Sequence, residues 1–99
     1  LNGTTENGSS PNYFEISSVY PNPFNSATNI EVLINSNNEN TSLCIVDITG
    51  REVQTIFNEK METGRHLFNW NSNQSPSGIY FSVLKTNNSI KTKRLMLIK

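Results

Sequence analysis

The chain has one cysteine and one histidine, and its acidic residues are seven glutamates and a single aspartate, Asp47. An internal disulfide is therefore impossible. Cys44 lies in the apolar run Leu43, Ile45, Val46, where a free cysteine behaves as a small hydrophobe, so it is read as structural. Metal coordination needs several ligands at suitable spacing, and neither a Cys/His cluster nor an Asp-rich calcium loop occurs; no metal or cofactor is expected. Catalysis is equally short of material. A triad of Asp47, His66 and a serine can be drawn in almost any chain, and His66 falls in register with Phe68 and Trp70, as a half-buried strand histidine would. Long hydrophobic runs are also missing, so no integral membrane segment is expected, and the N-terminus lacks the basic-then-apolar pattern of a secretory signal. Any export signal is expected upstream, in a longer parent chain. Basic residues interleaved with stacking aromatics are absent too, which excludes nucleic acid as a partner.

What is present is a polar, turn-rich chain of 99 residues, 34% hydrophobic and 16% charged, dominated among its polar residues by Asn, Ser and Thr. Such a length supports one domain that buries roughly 60–65% of its unfolded surface. The net charge is zero, but residues 1–63 hold all eight acids against Arg51 and Lys60, and residues 64–99 hold six bases and no acid. The halves therefore carry about −6 and +6. Two outcomes are open: neutralisation between neighbouring strands, or a basic C-terminal segment that stands as a recognisable feature.

Residues 1 to about 12 are rich in Gly, Ser, Asn and Thr, a composition that cannot bury enough surface to order itself. The chain is divided into a flexible linker to an upstream domain over residues 1–17 and a folded domain over 18–99. A candidate first strand, Tyr13 to Val19, straddles that division. Ile30, Val32 and Ile34 then alternate with Asn29, Glu31 and Leu33, as a half-buried strand requires. Leu43–Ile48 and Arg51–Phe57 form the best hairpin, turning at Thr49-Gly50. From Gly64, the residues His66, Phe68 and Trp70 share one face, expected to be inward. Ile79, Phe81 and Val83 alternate with Tyr80, Ser82 and Leu84, and Ile90 to Lys99 makes the last strand. About seven short strands predict an all-β fold, an immunoglobulin-like antiparallel β-sandwich, its core built on Trp70, Phe68, Phe81 and Phe24.

Five segments add a family resemblance. Val19-Tyr20-Pro21-Asn22-Pro23-Phe24-Asn25, Ile45-Val46-Asp47-Ile48-Thr49-Gly50-Arg51-Glu52-Val53, Gly64-Arg65-His66-Leu67-Phe68-Asn69-Trp70, Ser77-Gly78-Ile79-Tyr80-Phe81 and Lys93-Arg94-Leu95-Met96-Leu97-Ile98-Lys99 follow one another in order. They resemble the "YPNPF", "IYDxxGRxV", "GxHxxxW", "SGxYF" and "KKxxxxK" motifs of the type A C-terminal sorting domains of the Bacteroidetes type IX (Por) secretion system. Val46 stands where an aromatic is common in that family.

The resemblance implies a non-catalytic domain at the C-terminus of an exported protein. It implies passage through the periplasm to the cell surface or medium by way of the outer-membrane type IX translocon. It also implies removal by a surface sortase-like cysteine peptidase, with cleavage somewhere in residues 1–18 and attachment of the freed cargo to surface lipopolysaccharide. Lys91, Lys93, Arg94, Leu95, Met96, Leu97, Ile98 and Lys99 are the candidates for translocon recognition, since a terminal basic strand can be read by strand addition and charge complementarity. Pro21, Asn22, Pro23, Phe24, Asp47, Gly50, Arg51, Gly64, Trp70, Gly78 and Tyr80 are expected to act structurally. The alternative is an accessory or carbohydrate-binding module of immunoglobulin or fibronectin type, which needs an exposed aromatic platform from Tyr13, Tyr20, Phe24, Trp70 and Tyr80.

Overall fold

Alternation of apolar and polar residues builds seven strands: β1 (Phe14–Tyr20), β2 (Ala27–Ile34), β3 (Glu39–Asp47), β4 (Glu52–Met61), β5 (Gly64–Asn71), β6 (Gly78–Lys85) and β7 (Ile90–Leu97). The computed structural model describes residues 14–35, 39–72, 74–87 and 89–99. Two antiparallel sheets result, one of order β1-β2-β5 and one of order β4-β3-β6-β7. The expected all-β sandwich is the fold observed. Most of the expected linker, and Tyr13 of the aromatic set, lie outside the described residues.

Phe14 to Ser17, on the linker side of the division drawn at residue 17, form the first half of β1. Phe14 pairs with Ile34 and Ile16 with Val32, and both side chains are buried. Two apolar residues at a spacing of two suffice to give that half-strand an inward face.

The inner rows are Ile30, Val32 and Ile34 of β2, Leu43 and Ile45 of β3, Tyr80 and Leu84 of β6, and Leu95 and Leu97 of β7. Each large side chain fully withdrawn from water contributes about 1.5–3 kcal/mol. On β6 the expected core residue Phe81 turns out to lie on the opposite face, half-buried, and Phe68 is half-buried as well. Both faces of β6 are apolar, so its own sequence does not say which points inward. Pairing decides it, with Leu84 opposite Leu43 and Tyr80 opposite Leu95.

Sheet edges are protected locally. β1 shifts register between Ile16 and Ser18, and the β3–β4 pairing shifts at Leu43/Cys44 and at Ile45/Val46, so two of the four edge strands, β1 and β4, are irregular. Bulges of this kind discourage pairing with other chains.

Strand directions define two poles. Phe14, Ile34, Gly64, Met61, Lys85 and Ile90 lie at one, where Lys91 Nζ sits 6.0 Å from the Phe14 ring. Tyr20, Ala27, Asp47, Gly78 and Leu97 lie at the other. With about 3.3 Å of rise per residue, eight-residue strands separate the poles by about 25 Å.

Candidate functional site

Four of the five sequence segments meet in contact or direct pairing at the second pole, and the end of β5 joins them. Trp70 is 1% exposed. Its ring meets Phe24 edge-on, with centroids 5.5 Å apart, and Tyr80 at 5.3 Å. Each such aromatic pair adds about 0.5–1.5 kcal/mol beyond its burial. The polar tips are satisfied: Trp70 Nε1 donates to Gln54 Oε1 at 3.1 Å, and Tyr80 Oη donates to the Pro76 carbonyl at 2.7 Å. With Phe24, Trp70 and Tyr80 in the core, the aromatic platform that the alternative reading needs does not form among the described residues; of its described members Tyr20 alone is exposed. A ring that closes the core has no face left for a sugar.

The Pro-Asn-Pro-Phe segment is stitched along the outer edge of β7. Both X-Pro bonds, Tyr20-Pro21 and Asn22-Pro23, are cis. Asn22 Nδ2 donates to the Arg94 carbonyl at 3.0 Å, and the Met96 N–H donates to Asn22 Oδ1 at 3.0 Å. One step further on, the Phe24 N–H donates to the Met96 carbonyl at 3.0 Å and the Ile98 N–H to the Phe24 carbonyl at 2.8 Å. Thr28 Oγ1 holds the start of the segment through the Pro21 carbonyl at 2.7 Å, and Ser77 Oγ accepts from the Lys99 N–H at 2.8 Å. The edge of β7 from Arg94 to Ile98 is thus already paired. Strand addition, the recognition mode expected for the terminal strand, would have to displace this segment there.

Asp47 organises the β3–β4 turn at the same pole. Its Oδ1 accepts from the Thr49 N–H, the Thr49 hydroxyl and the Arg51 N–H, and its Oδ2 accepts from Arg51 Nε at 3.2 Å. The Thr49 hydroxyl bond, assisted by the backbone bonds and by the Arg51 charge, holds the carboxyl below its usual range. Gly50 has φ +89, a backbone conformation that side chains disfavour. Beside this turn, Ile48, Arg51, Val53 and residues 74–80 line an open cleft of about 320 Å³.

The eight recognition candidates separate into distinct roles. Leu95 and Leu97 are core residues, Met96 is half-buried on the outer face, and Ile98 is 53% exposed. Lys91, Lys93, Arg94 and Lys99 are all exposed, but Lys91 stands near the first pole, far from Lys99. Gly64 likewise lies at the first pole, opposite Ile34, and takes no part in the convergence.

Neutralisation between strands accounts for little of the charge. Among the described residues the side-chain ion pairs are Asp47 with Arg51 and Glu31 with Arg65. The Ser17 hydroxyl bond, followed by Arg65, draws the Glu31 carboxyl below its usual range. Arg94 lies between β6 and the Pro21–Phe24 segment, neither of which carries an acid, whereas Lys91 sits beside Phe14 on β1, the strand that holds Glu15. Sequence reading missed Gln54, Thr28 and Ser77 as the partners that hold this pole, since a hydrogen-bonding polar residue has no pattern of its own along a chain.

No group of three or more His, Cys, Asp or Glu residues that could hold a metal forms among the described residues. His66 Nε2 donates to the Glu62 carbonyl at 2.7 Å and the ring stacks near Phe68, as expected for a half-buried strand histidine. Cys44 is half-buried on the outer face rather than in the core, and burial, then the Glu52 carboxylate, push its thiol pKa up. No helix is long and apolar enough to cross a membrane among the described residues.

Comparison with known proteins adds two findings. The family model described as a secretion system C-terminal sorting domain matches residues 18–99. The fold is similar to part of the dimeric latent PorU from Porphyromonas gingivalis, with a TM-score of 0.73 and 17% identity over 97% of this chain. That match spans 10% of the PorU chain. No curated protein sequence matches.

Proposed function

Because this chain belongs to the secretion system C-terminal sorting domain family, we propose that it is the address carried by an exported protein through the type IX outer-membrane translocon to the cell surface. In this reading the domain is a substrate of the export machinery and catalyses nothing. Its attached cargo supplies the chemistry or adhesion. A sortase-like peptidase then separates the two, and the bond cut lies before Phe14, since Phe14–Tyr20 is hydrogen-bonded into a sheet and a peptidase needs extended, accessible chain.

The observation that carries the proposal is the stitching of Asn22 and Phe24 to Arg94, Met96 and Ile98. Two stretches about 70 residues apart, each resembling a family motif, close one surface at the pole away from Phe14. A translocon that holds this pole stands about 25 Å from Phe14, beyond which the cargo is joined.

The test is export of a reporter fused to residues 1–99 in a type IX-competent bacterium and in the same strain lacking its translocon. Reporter at the surface or in the medium of the first strain only is the expected result. Retention of a folded fusion in the periplasm of both strains rejects the proposal.

A further inference from the structure

The two outer faces of the sandwich differ in kind. On the three-stranded sheet the outer face is mixed: Leu33 and Leu67 stand singly among polar residues that bond one another, Ser17 and Arg65 both reaching Glu31 and Asn69 Nδ2 donating to Asn29 Oδ1 at 3.1 Å. On the four-stranded sheet the outward row is apolar. Val46 pairs across to Phe81, Cys44 to Val83 and Ile79 to Met96, all six half-buried and facing away from the core.

The rim of this strip is charged asymmetrically. Arg94 lies opposite Phe81, and Lys85 continues the row beyond Val83. Neither makes an ion pair with a carboxylate among the described residues. Glu52 pairs with Val46 on the far side of the strip, away from β7.

A sheet face normally turned to water alternates polar residues outward. A contiguous apolar strip with uncompensated cations along one side has the composition of an interface centre with a polar rim. We infer that the outer face of β3, β6 and β7 docks a protein surface that presents apolar side chains beside a row of carboxylates aligned with Arg94 and Lys85. The half-burial of Phe81, Val83 and their neighbours, none of which is among the exposed large hydrophobics, favours a protein over a bilayer, which is entered by fully exposed apolar side chains. The inference rests on the sorting reading and names the chemistry of the partner in that process. It requires no opening of the Pro21–Phe24 segment, since side chains of the sheet face are read and not its backbone edge.

The experiment compares export of reporter fusions to residues 1–99 that carry Lys85→Glu with Arg94→Glu, Phe81→Thr with Val83→Thr, or, as a control, Leu67→Thr at an exposed apolar residue on the outer face of the other sheet. Purified domains are checked by thermal melting; the charge-reversed pair touches no core residue and serves if the apolar pair fails to fold. Surface reporter is expected to fall about tenfold or more for the charge-reversed pair and for the folded apolar pair, with the control unchanged. Unchanged export of both variants overturns the inference and leaves the sorting reading intact. Retention of the unaltered fusion removes that reading, and the inference falls with it. Co-sedimentation of the purified domain with phosphatidylglycerol vesicles, abolished by the same substitutions, would assign the face to lipid. Concentration-dependent dimerisation abolished by Phe81→Thr with Val83→Thr would assign it to a second copy, and either result overturns the protein partner proposed.

Discussion

The side-chain amide of Asn22 bonds β7 as a peptide group would, giving its N–H to the Arg94 carbonyl and taking the Met96 N–H on its oxygen, both at 3.0 Å. The backbone of Phe24 continues the same ladder to Met96 and Ile98. An irregular segment thereby acts as a short neighbouring strand along an edge that would otherwise invite pairing.

Asn22→Ala removes both bonds without disturbing a core side chain. A loss of about 1–2 kcal/mol in unfolding free energy is expected, measured by denaturant titration. Amide hydrogen exchange at Met96 is expected to speed up more than at the amides joining β3 and β6. An unchanged Met96 rate would show that the side-chain bonds contribute nothing to holding the edge.

Phe24→Ala leaves a cavity against Trp70. Truncations of buried aromatics cost about 3–5 kcal/mol. Since Trp70 is the only tryptophan, its fluorescence reports the change directly: a lower unfolding midpoint, with emission shifted to the red if water enters beside the ring.

Gly50→Ala meets open space but must hold φ near +89. The backbone strain is expected to cost about 1–2 kcal/mol, seen as a lowered melting temperature with an unchanged far-ultraviolet spectrum.

Acid should destabilise the domain through Asp47 and Glu31, whose carboxyl pKa values are lowered by folding. A group whose folded pKa is depressed contributes stability that is fully present above its unfolded value and is lost as pH falls through the folded one. Melting temperatures should therefore hold steady from neutral pH to about 5 and decline through the carboxylate range below it. Asp47→Asn and Glu31→Gln should each flatten that decline. A double variant that melts with the same acid dependence would place the effect elsewhere.

The sequence by itself determined the strand inventory, because period-two alternation and turn residues are local. Ile30, Val32 and Ile34, the Asp47 to Arg51 turn and the His66, Phe68, Trp70 face follow from neighbours a few residues away. The same local patterns marked the five family segments. Wherever both faces of a strand are apolar, alternation loses its meaning, and only pairing with Leu43 and Leu95 turned Tyr80 and Leu84 inward and left Phe81 and Val83 on the outer face. Tertiary structure alone also brought Asn22 to Arg94 and Met96, since a side-chain amide carries no mark along the chain of the distant peptide groups it will bond. It kept the cations of β7 apart from the acids of β4 as well, because strand order, which depends on long-range pairing, places β3 and β6 between them.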